Sequence, residues 1–182
     1  MAEILLTRMR KLNGWLAILI GIMLFACAAF VLADIVLRQL GSSLGGTDEI
    51  SGYVMAIATS WGMAYTLTEL GHVRIDILRS RGGPRSRAIF DLFSLLTLAI
   101  TISLIAYWAW PVLERSLVNS SRANTPLETP LALVQAPWFA GWLWFAIAAW
   151  LTFIAAITLV MRGEFDAADT AIGTRGEAEA LE

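Results

Sequence analysis

Four long stretches without charged side chains constrain the fold of this chain more than any other feature. They are residues 12–33, 50–68, 92–113 and 129–161, and none contains Asp, Glu, Lys or Arg. A helix needs about 20 predominantly apolar residues to cross the roughly 30 Å hydrocarbon core of a bilayer. Because each stretch has that length or nearly so, we predict an all-α integral membrane protein with four transmembrane helices. The predicted spans are about residues 12–36, 50–70, 89–112 and 137–161.

The composition supports this prediction and sets the domain organisation. Hydrophobic residues make up 58% of the chain and charged residues 15%, whereas soluble domains are nearer half apolar and a quarter charged. Four spans use most of the 182 residues, so no separate soluble domain is expected. We predict a basic amphipathic lead over residues 1–11, one membrane domain over 12–162 and an acidic, disordered tail over 163–182.

The distribution of basic residues predicts the orientation of the spans. Cytoplasmic loops of membrane proteins carry an excess of Lys and Arg. Here the basic residues cluster before the first span, between the second and third, and after the fourth: Arg8, Arg10, Lys11, Arg74, Arg79, Arg81, Arg85, Arg87, Arg162 and Arg175. The other two loops carry only Arg38, Arg115 and Arg122. We therefore expect both termini on the cytoplasmic side.

The inventory of reactive side chains argues against an enzyme. His72 is the sole histidine and Cys27 the sole cysteine, and a zinc site needs more nitrogen and sulfur ligands than these. The sequence contains no nucleotide-binding loop and no metalloprotease motif. We expect no cofactor and no metal. Cys27 is interpreted as a buried apolar residue rather than a lipid-modified cysteine, because the apolar run continues well past it.

The positions of the acidic residues argue against a transporter that works alone. A carboxylate that couples proton movement to transport is expected near the middle of the membrane. Asp34, Glu49, Glu69 and Asp91 all lie near the ends of predicted spans. The spans also lack the paired Gly and Pro interruptions typical of a substrate site at the membrane midplane. A helical partner for another protein fits the pattern better.

The second span has the features of a helix that packs against other helices. Gly52, Ala56, Ser60 and Ala64 recur every four residues and place small side chains on one stripe. Membrane helices approach one another closely at such residues. Trp61 follows about a dozen residues into the helix, near mid-membrane at a rise of about 1.5 Å per residue. That depth favours a packing role in a subunit interface over a lipid-facing position.

Aromatic residues near the span ends predict anchors at the membrane surfaces. Tryptophan is enriched at both membrane–water interfaces, and the candidate anchors are Trp15, Trp108, Trp110, Trp138 and Trp142. The last uncharged stretch is longer than one span requires. We therefore expect residues 131–136 to lie on the outer surface and Pro137 to occupy the first turn of the fourth span.

The residues around the second span resemble those of a known transporter family. Arg38, Glu49, Trp61 and the sequence His72-Val73-Arg74-Ile75-Asp76 occur in this order. The pattern resembles the small membrane subunit, the Q or DctQ-like subunit, of tripartite ATP-independent periplasmic (TRAP) transporters. It covers roughly residues 34–78, and the layout of four spans with both termini inside extends the resemblance to nearly the whole chain. The chain departs from the family before the last span, where the expected Trp comes only after Pro137 and not after Pro130.

Two pairs in this region have more than one interpretation. Glu49 either caps the second helix or forms an ion pair with Arg38 that joins the first two spans at the outer face. His72 and Asp76 are four residues apart, so they either hydrogen-bond along a continuing helix or mark its end. Asp34 and Arg38 are also four apart on one face and can interact.

The resemblance implies a three-part importer rather than an isolated protein. In that family a periplasmic solute-binding protein captures the solute, often an organic acid. A large membrane subunit moves it by an elevator-type motion coupled to an ion gradient, commonly sodium. The small subunit scaffolds the large one in the bacterial inner membrane. The alternative is a four-helix membrane anchor of a respiratory or other membrane enzyme complex.

Overall fold

The computed structural model describes residues 2–72, 79 and 81–173. Regular structure in this part of the chain is helical, which confirms the all-α prediction for the described residues. The helices are α1 (Ala2–Gln39), α2 (Thr47–Thr68), α3 (Pro84–Val118), α4 (Leu131–Met161) and α5 (Phe165–Ile172).

Within the described residues, three helices are long and apolar enough to cross a membrane, namely α1, α3 and α4. Helix α2 has 22 residues and is not among them. Its first turn carries Asp48 and Glu49, and hydroxyl-bearing residues follow along its length, which lowers its mean hydropathy. The presence of a fourth span therefore stays a prediction.

The first and third helices are longer than the predicted spans. Helix α1 is continuous from Ala2, so residues 2–11 form its first turns rather than a separate lead. Helix α3 continues to Val118, six residues beyond the predicted end at 112. The loop between α3 and α4 is correspondingly short, and an isolated antiparallel bridge between Arg122 and Pro130 closes it.

Residues 131–136 are not separate from the last long helix, and the prediction that Pro137 lies in the first turn of that helix is wrong. These residues form the first turns of α4, and Pro137 lies inside the helix rather than in its first turn. Proline removes one backbone N–H from the helix interior. Membrane helices tolerate this where neighbouring helices supply hydrogen bonds, and α2 packs directly against α4 here.

Part of the predicted disordered tail is also a helix. Helix α5 packs against α3 and α4, and its Ala168 and Ile172 are buried. Phe165, Ala168 and Ile172 recur at three and four residues, which is the spacing of one apolar helix face. Only residues 174–182 of the predicted tail lie outside the described residues.

The long helices pack in the order α1, α2, α4, α3, and α5 covers the end of the bundle between α3 and α4. The core is rich in alanine. Lipid supplies no hydrophobic driving force between membrane helices, so these helices associate through close packing, which small side chains allow. Phe145 and Leu95 are the largest side chains buried in it. The fully buried alanines of this core include Ala64, Ala99, Ala148, Ala149 and Ala156.

Candidate functional site

Helices α2 and α4 approach each other closely at Trp61 and Gly141. The indole N–H of Trp61 donates a hydrogen bond to the carbonyl oxygen of Pro137 at 2.9 Å. One turn further along α4, a Cβ atom on Gly141 would lie 2.8 Å from Cδ1 of Trp61 and closer still to Oγ of Ser60. Only glycine therefore fits at position 141 with the helices at this separation.

The small-residue stripe of α2 divides into two halves with different surroundings. Ser60 and Ala64 are 0% exposed and pack inside the chain. Ala56 is half-buried, whereas Gly52 is exposed and a Cβ atom there would have no neighbour within 4 Å. The half of the stripe at Ser60 and Ala64 thus packs against other helices of the chain, whereas the half at Gly52 and Ala56 is not fully covered by the chain.

A buried asparagine connects three helices. Asn13 of α1 is 1% exposed. Its Nδ2 donates to the carbonyl oxygen of Ala64 at 3.1 Å and to Oγ1 of Thr68 at 3.3 Å, both on α2. Its Oδ1 accepts the indole N–H of Trp144 from α4 at 2.9 Å. The side-chain amide therefore uses both its donor and its acceptor to hold α1, α2 and α4 together.

Asp34 organises the connection between α1 and α2. Its carboxylate is 1% exposed and accepts hydrogen bonds from the Thr47 hydroxyl at 2.7 Å, the Leu44 backbone N–H at 2.7 Å and the Ser43 hydroxyl at 3.0 Å. Arg38 forms an ion pair with the same carboxylate at 2.7 Å. The predicted interaction of Asp34 with Arg38 is present, and the loop folds around it.

The structure does not place Arg38 against Glu49. Arg38 pairs with Asp34, while Glu49 accepts the hydroxyl of Tyr53 at 2.7 Å, and no ion pair joins Arg38 and Glu49. The hydroxyls of Thr125 and Thr129, from the loop before α4, lie near the Glu49 carboxylate. The ion-pair interpretation is therefore wrong, because the nearer carboxylate on its own helix takes Arg38.

The same two loops also meet at Gly46, which precedes α2. Gly46 has a φ of +65°, a left-handed conformation that favours glycine. A Cβ atom there would overlap the side chain of Leu127. Together with Glu49, this contact attaches the loop before α2 to the loop before α4.

At the opposite end of the bundle, an arginine whose side chain is 11% exposed joins α3 to α5. Nε of Arg79 lies 2.8 Å from Oδ1 of Asp91, and its NH2 group also contacts Asp169. Burial lowers the pKa of Arg79, but the hydrogen bonds and charge of Asp91 and the charge of Asp169 outweigh it and raise that pKa above its ordinary value. The guanidinium therefore stays charged and fixes α5 against α3.

His72 lies against the core of the bundle. Its ring stacks on Phe145 with 5.9 Å between the centroids and an interplanar angle of 15°. Asp76, its predicted partner, lies outside the described residues, so the interaction of these two residues stays a prediction.

Comparison with protein families identifies the chain. The family model described as "Tripartite ATP-independent periplasmic transporters, DctQ component" matches residues 27–159. The chain belongs to the DctQ family. No curated protein and no solved structure matches it. The resemblance inferred from the second span is thus confirmed, whereas the enzyme-anchor alternative gains no support.

Membership of the DctQ family makes the chain a component of a membrane transporter rather than a member of an enzyme family. That family works with a large membrane component and a periplasmic component. The apolar helices agree with a membrane location. In the described part of the chain, no group of three or more His, Cys, Asp or Glu side chains is placed to hold a metal ion.

The predicted aromatic anchors of this DctQ chain fall into two groups. Trp15, Trp108 and Trp110 are exposed, as interfacial anchors require. Trp138 is half-buried, and Trp142 packs against Phe145 in the core with 6.5 Å between the ring centroids. Position near a span end therefore does not separate exposed tryptophans from those that pack in the core, and the anchoring role of Trp15, Trp108 and Trp110 stays a prediction.

The sequence interpretation missed several residues that connect the helices of this DctQ chain. Asn13 was detectable as the only amide in the first uncharged stretch, but no pattern indicated its partners. Gly141 had no local signal, because its role depends on the approach of Ser60 from another helix. The other missed connections are made by Thr47, Arg79, Asp91, Trp144 and Asp169.

Proposed function

We propose that this chain is the small, non-catalytic membrane subunit of a TRAP-type secondary importer. In this proposal it scaffolds a large elevator-type subunit during ion-gradient-driven symport, with sodium as the coupling ion. A periplasmic solute-binding protein delivers the solute, which we propose to be an organic acid. The observation that carries the proposal is the family match over residues 27–159.

The contacts between the helices support a scaffolding role. An elevator-type carrier domain needs a fixed body against which to move. Here Asn13, Trp61 and Asp34 each hold two or more segments of the chain together through side-chain hydrogen bonds. Buried polar contacts with satisfied donors and acceptors make a bundle rigid. A chain connected in this way suits a static partner better than a moving one.

The exposed surfaces support attachment to a larger membrane protein. The most apolar 18-residue window of α1 has no buried residue, and α3 exposes Phe93, Leu104 and Trp108. Contiguous apolar surfaces of this kind contact lipid or other proteins. We propose that the large subunit covers the open half of the α2 stripe, at Gly52 and Ala56, and the adjoining surface of α1. In this proposal Ser60, Trp61 and Ala64 hold the chain together from within. Structural roles for Arg38, Glu49, His72 and Asp76 stay predictions.

The proposed placement is the bacterial inner membrane, with four spans and both termini in the cytoplasm. The basic residues near the start of α1 and before α3 support this orientation through the positive-inside rule. In this arrangement α2 also crosses the membrane, and its packing against α1 on one side and α4 on the other supports this placement.

Reconstitution tests the proposal. The large subunit, with and without this chain, is placed in proteoliposomes with the binding protein outside, and uptake of labelled solute is followed under an inward sodium gradient. We expect uptake only when both membrane subunits are present. Full uptake by the large subunit alone would exclude the scaffolding role, and uptake independent of sodium would exclude sodium as the coupling ion.

A further inference from the structure

A cavity of about 320 Å³ lies where α1, α2, α4 and α5 meet, at the N-terminal end of α1. Its volume is at the small end of the range for ligand sites, about 300–1,000 Å³. Leu6 and Leu159 form part of its apolar wall, and charged and hydroxyl-bearing residues form the rest. A cavity with this mixed lining suits a small polar group attached to an apolar one.

Four threonines on the polar wall of the cavity offer hydrogen-bond acceptors rather than donors. Each donates its hydroxyl proton to a carbonyl of its own helix, at 2.8 to 3.0 Å. A hydroxyl that donates in this way still accepts through its lone pairs. The wall therefore offers acceptors rather than donors, and the Glu3 carboxylate adds a negative charge. The threonines are Thr7, Thr68, Thr152 and Thr170.

Arg10, which lines the same cavity, supplies a positive charge and hydrogen-bond donors. Its Nε donates to the carbonyl oxygen of Thr68 at 3.3 Å and lies 3.6 Å from Oε1 of Glu69. A guanidinium has five N–H donors, and the two terminal NH2 groups of Arg10 have no partner among the described residues. The planar fork of such a group matches the oxygens of a phosphate.

We propose that this cavity binds the headgroup of a phospholipid that carries both a phosphate and a primary ammonium, that is, the ethanolamine class. The phosphate binds the NH2 groups of Arg10, and the ammonium donates to the threonine oxygens and Glu3. The acyl chains leave the cavity along the outer surface of α1, where Ile4 and Leu12 are exposed. The site belongs to this chain alone and does not require the large subunit.

Lipid retention tests the proposal on the purified full-length chain. The chain in detergent is mixed with equal amounts of phosphatidylethanolamine, phosphatidylcholine and phosphatidylglycerol with identical acyl chains, and native mass spectrometry measures the lipid retained. We expect selective retention of phosphatidylethanolamine, because the choline ammonium has no N–H donor and the glycerol headgroup has no ammonium. Arg10→Gln removes the charged phosphate contact and should lower retention about tenfold.

Two further variants make the result specific to the cavity. Arg8→Gln removes a cation from the same helix end without touching the cavity and should leave retention unchanged. Ala171→Phe fills the cavity while keeping Arg10, so it should abolish retention and serves as the test if Arg10→Gln does not fold. Equal retention of the three lipids, or unchanged retention in Ala171→Phe, would overturn the proposal. Equally tight binding of soluble phosphoethanolamine would assign the site to a free phosphate ester instead of a lipid.

Discussion

The indole N–H of Trp61 donates to the carbonyl oxygen of Pro137 at 2.9 Å, so the central tryptophan of α2 is fixed to the proline inside α4. Proline is typical of the first turn of a helix, yet α4 already begins at Leu131 and Pro137 lies inside it. Its missing N–H removes the helical hydrogen bond to the carbonyl of Leu133, whereas Trp61 donates to the carbonyl of Pro137 itself. The hydrogen bond therefore joins α2 to α4, and it depends on the close approach at Gly141.

Gly141→Ala tests that close approach. The added methyl group would overlap Ser60 and Trp61, so α2 and α4 must separate. Overpacking of this kind costs about 1–3 kcal/mol. We expect a lower midpoint of thermal unfolding for the chain in detergent. Gly21→Ala is the matched control, since a Cβ atom there has no neighbour within 4 Å. Equal midpoints for the two variants would contradict the close approach.

Asn13→Ala tests the polar connection of α1, α2 and α4. The substitution leaves the indole N–H of Trp144 without its acceptor, at 2.9 Å in the structure. Interhelical hydrogen bonds in membrane proteins contribute about 0.6 kcal/mol on average and up to about 1.7 kcal/mol. We expect destabilisation of about 1–2 kcal/mol, because Asn13 makes contacts to two helices.

A double-mutant cycle separates the Asn13 hydrogen bond from the effect of lost volume. Asn13→Ala is combined with Trp144→Phe, and unfolding is measured for both single variants and the double variant. A real hydrogen bond makes the double variant less destabilised than the sum of the two single variants. Additive effects would show that the two side chains do not interact energetically.

Asp34 and Arg38 should differ in importance although they form one ion pair. Asp34 is 1% exposed and accepts three further hydrogen bonds, whereas the Arg38 side chain is 52% exposed. Asp34→Asn directs an N–H group toward existing donors and should cost about 1–3 kcal/mol. Arg38→Gln removes only an exposed ion pair and should cost less than about 1 kcal/mol. Comparison of the two unfolding midpoints checks this order, and a larger loss in Arg38→Gln would reverse our assignment.

Asp169→Asn should release α5 from the end of the bundle. Asp169 is 50% exposed and pairs with the guanidinium of Arg79, which Asp91 also holds. Loss of the charge weakens the attachment of α5 without changing the rest of the core. We expect faster backbone hydrogen exchange over residues 165–172. Asp166→Asn, an exposed change on the same helix, is the control. Unchanged exchange in Asp169→Asn would show that burial of Ala168 and Ile172 alone holds α5.

The helices were predictable where composition alone determines them. An apolar stretch of 20 or more residues has few stable conformations in a membrane, so α1, α3 and α4 followed from the absence of charge. The start of α4 did not follow, because Pro137 signals a helix start locally, whereas in the structure it lies inside the helix and accepts a hydrogen bond from Trp61. Helix α5 was missed because its eight residues lie in a polar, acidic segment.

The partners of polar residues were harder to predict than the helices. Arg38 has two candidate carboxylates, and the sequence does not reveal that Asp34 lies under the loop and Glu49 faces Tyr53. Asn13 stands out in an apolar stretch, but its partners lie 51 or more residues away in the chain. Such contacts depend on how the helices are rotated, which the spacing of residues within one helix does not determine.

The two halves of the α2 stripe should respond differently to added bulk. Ser60→Leu places a large side chain where Ser60 is 0% exposed, so it should lower the stability of the isolated chain. Gly52→Leu meets open space in the chain. It should leave the unfolding midpoint unchanged and weaken co-purification with the large subunit, if that subunit covers this surface. Gly21→Leu places the same bulk at an open position on α1 and serves as the comparison. Co-purification that is lost in Gly21→Leu but retained in Gly52→Leu would move the partner surface from α2 to α1.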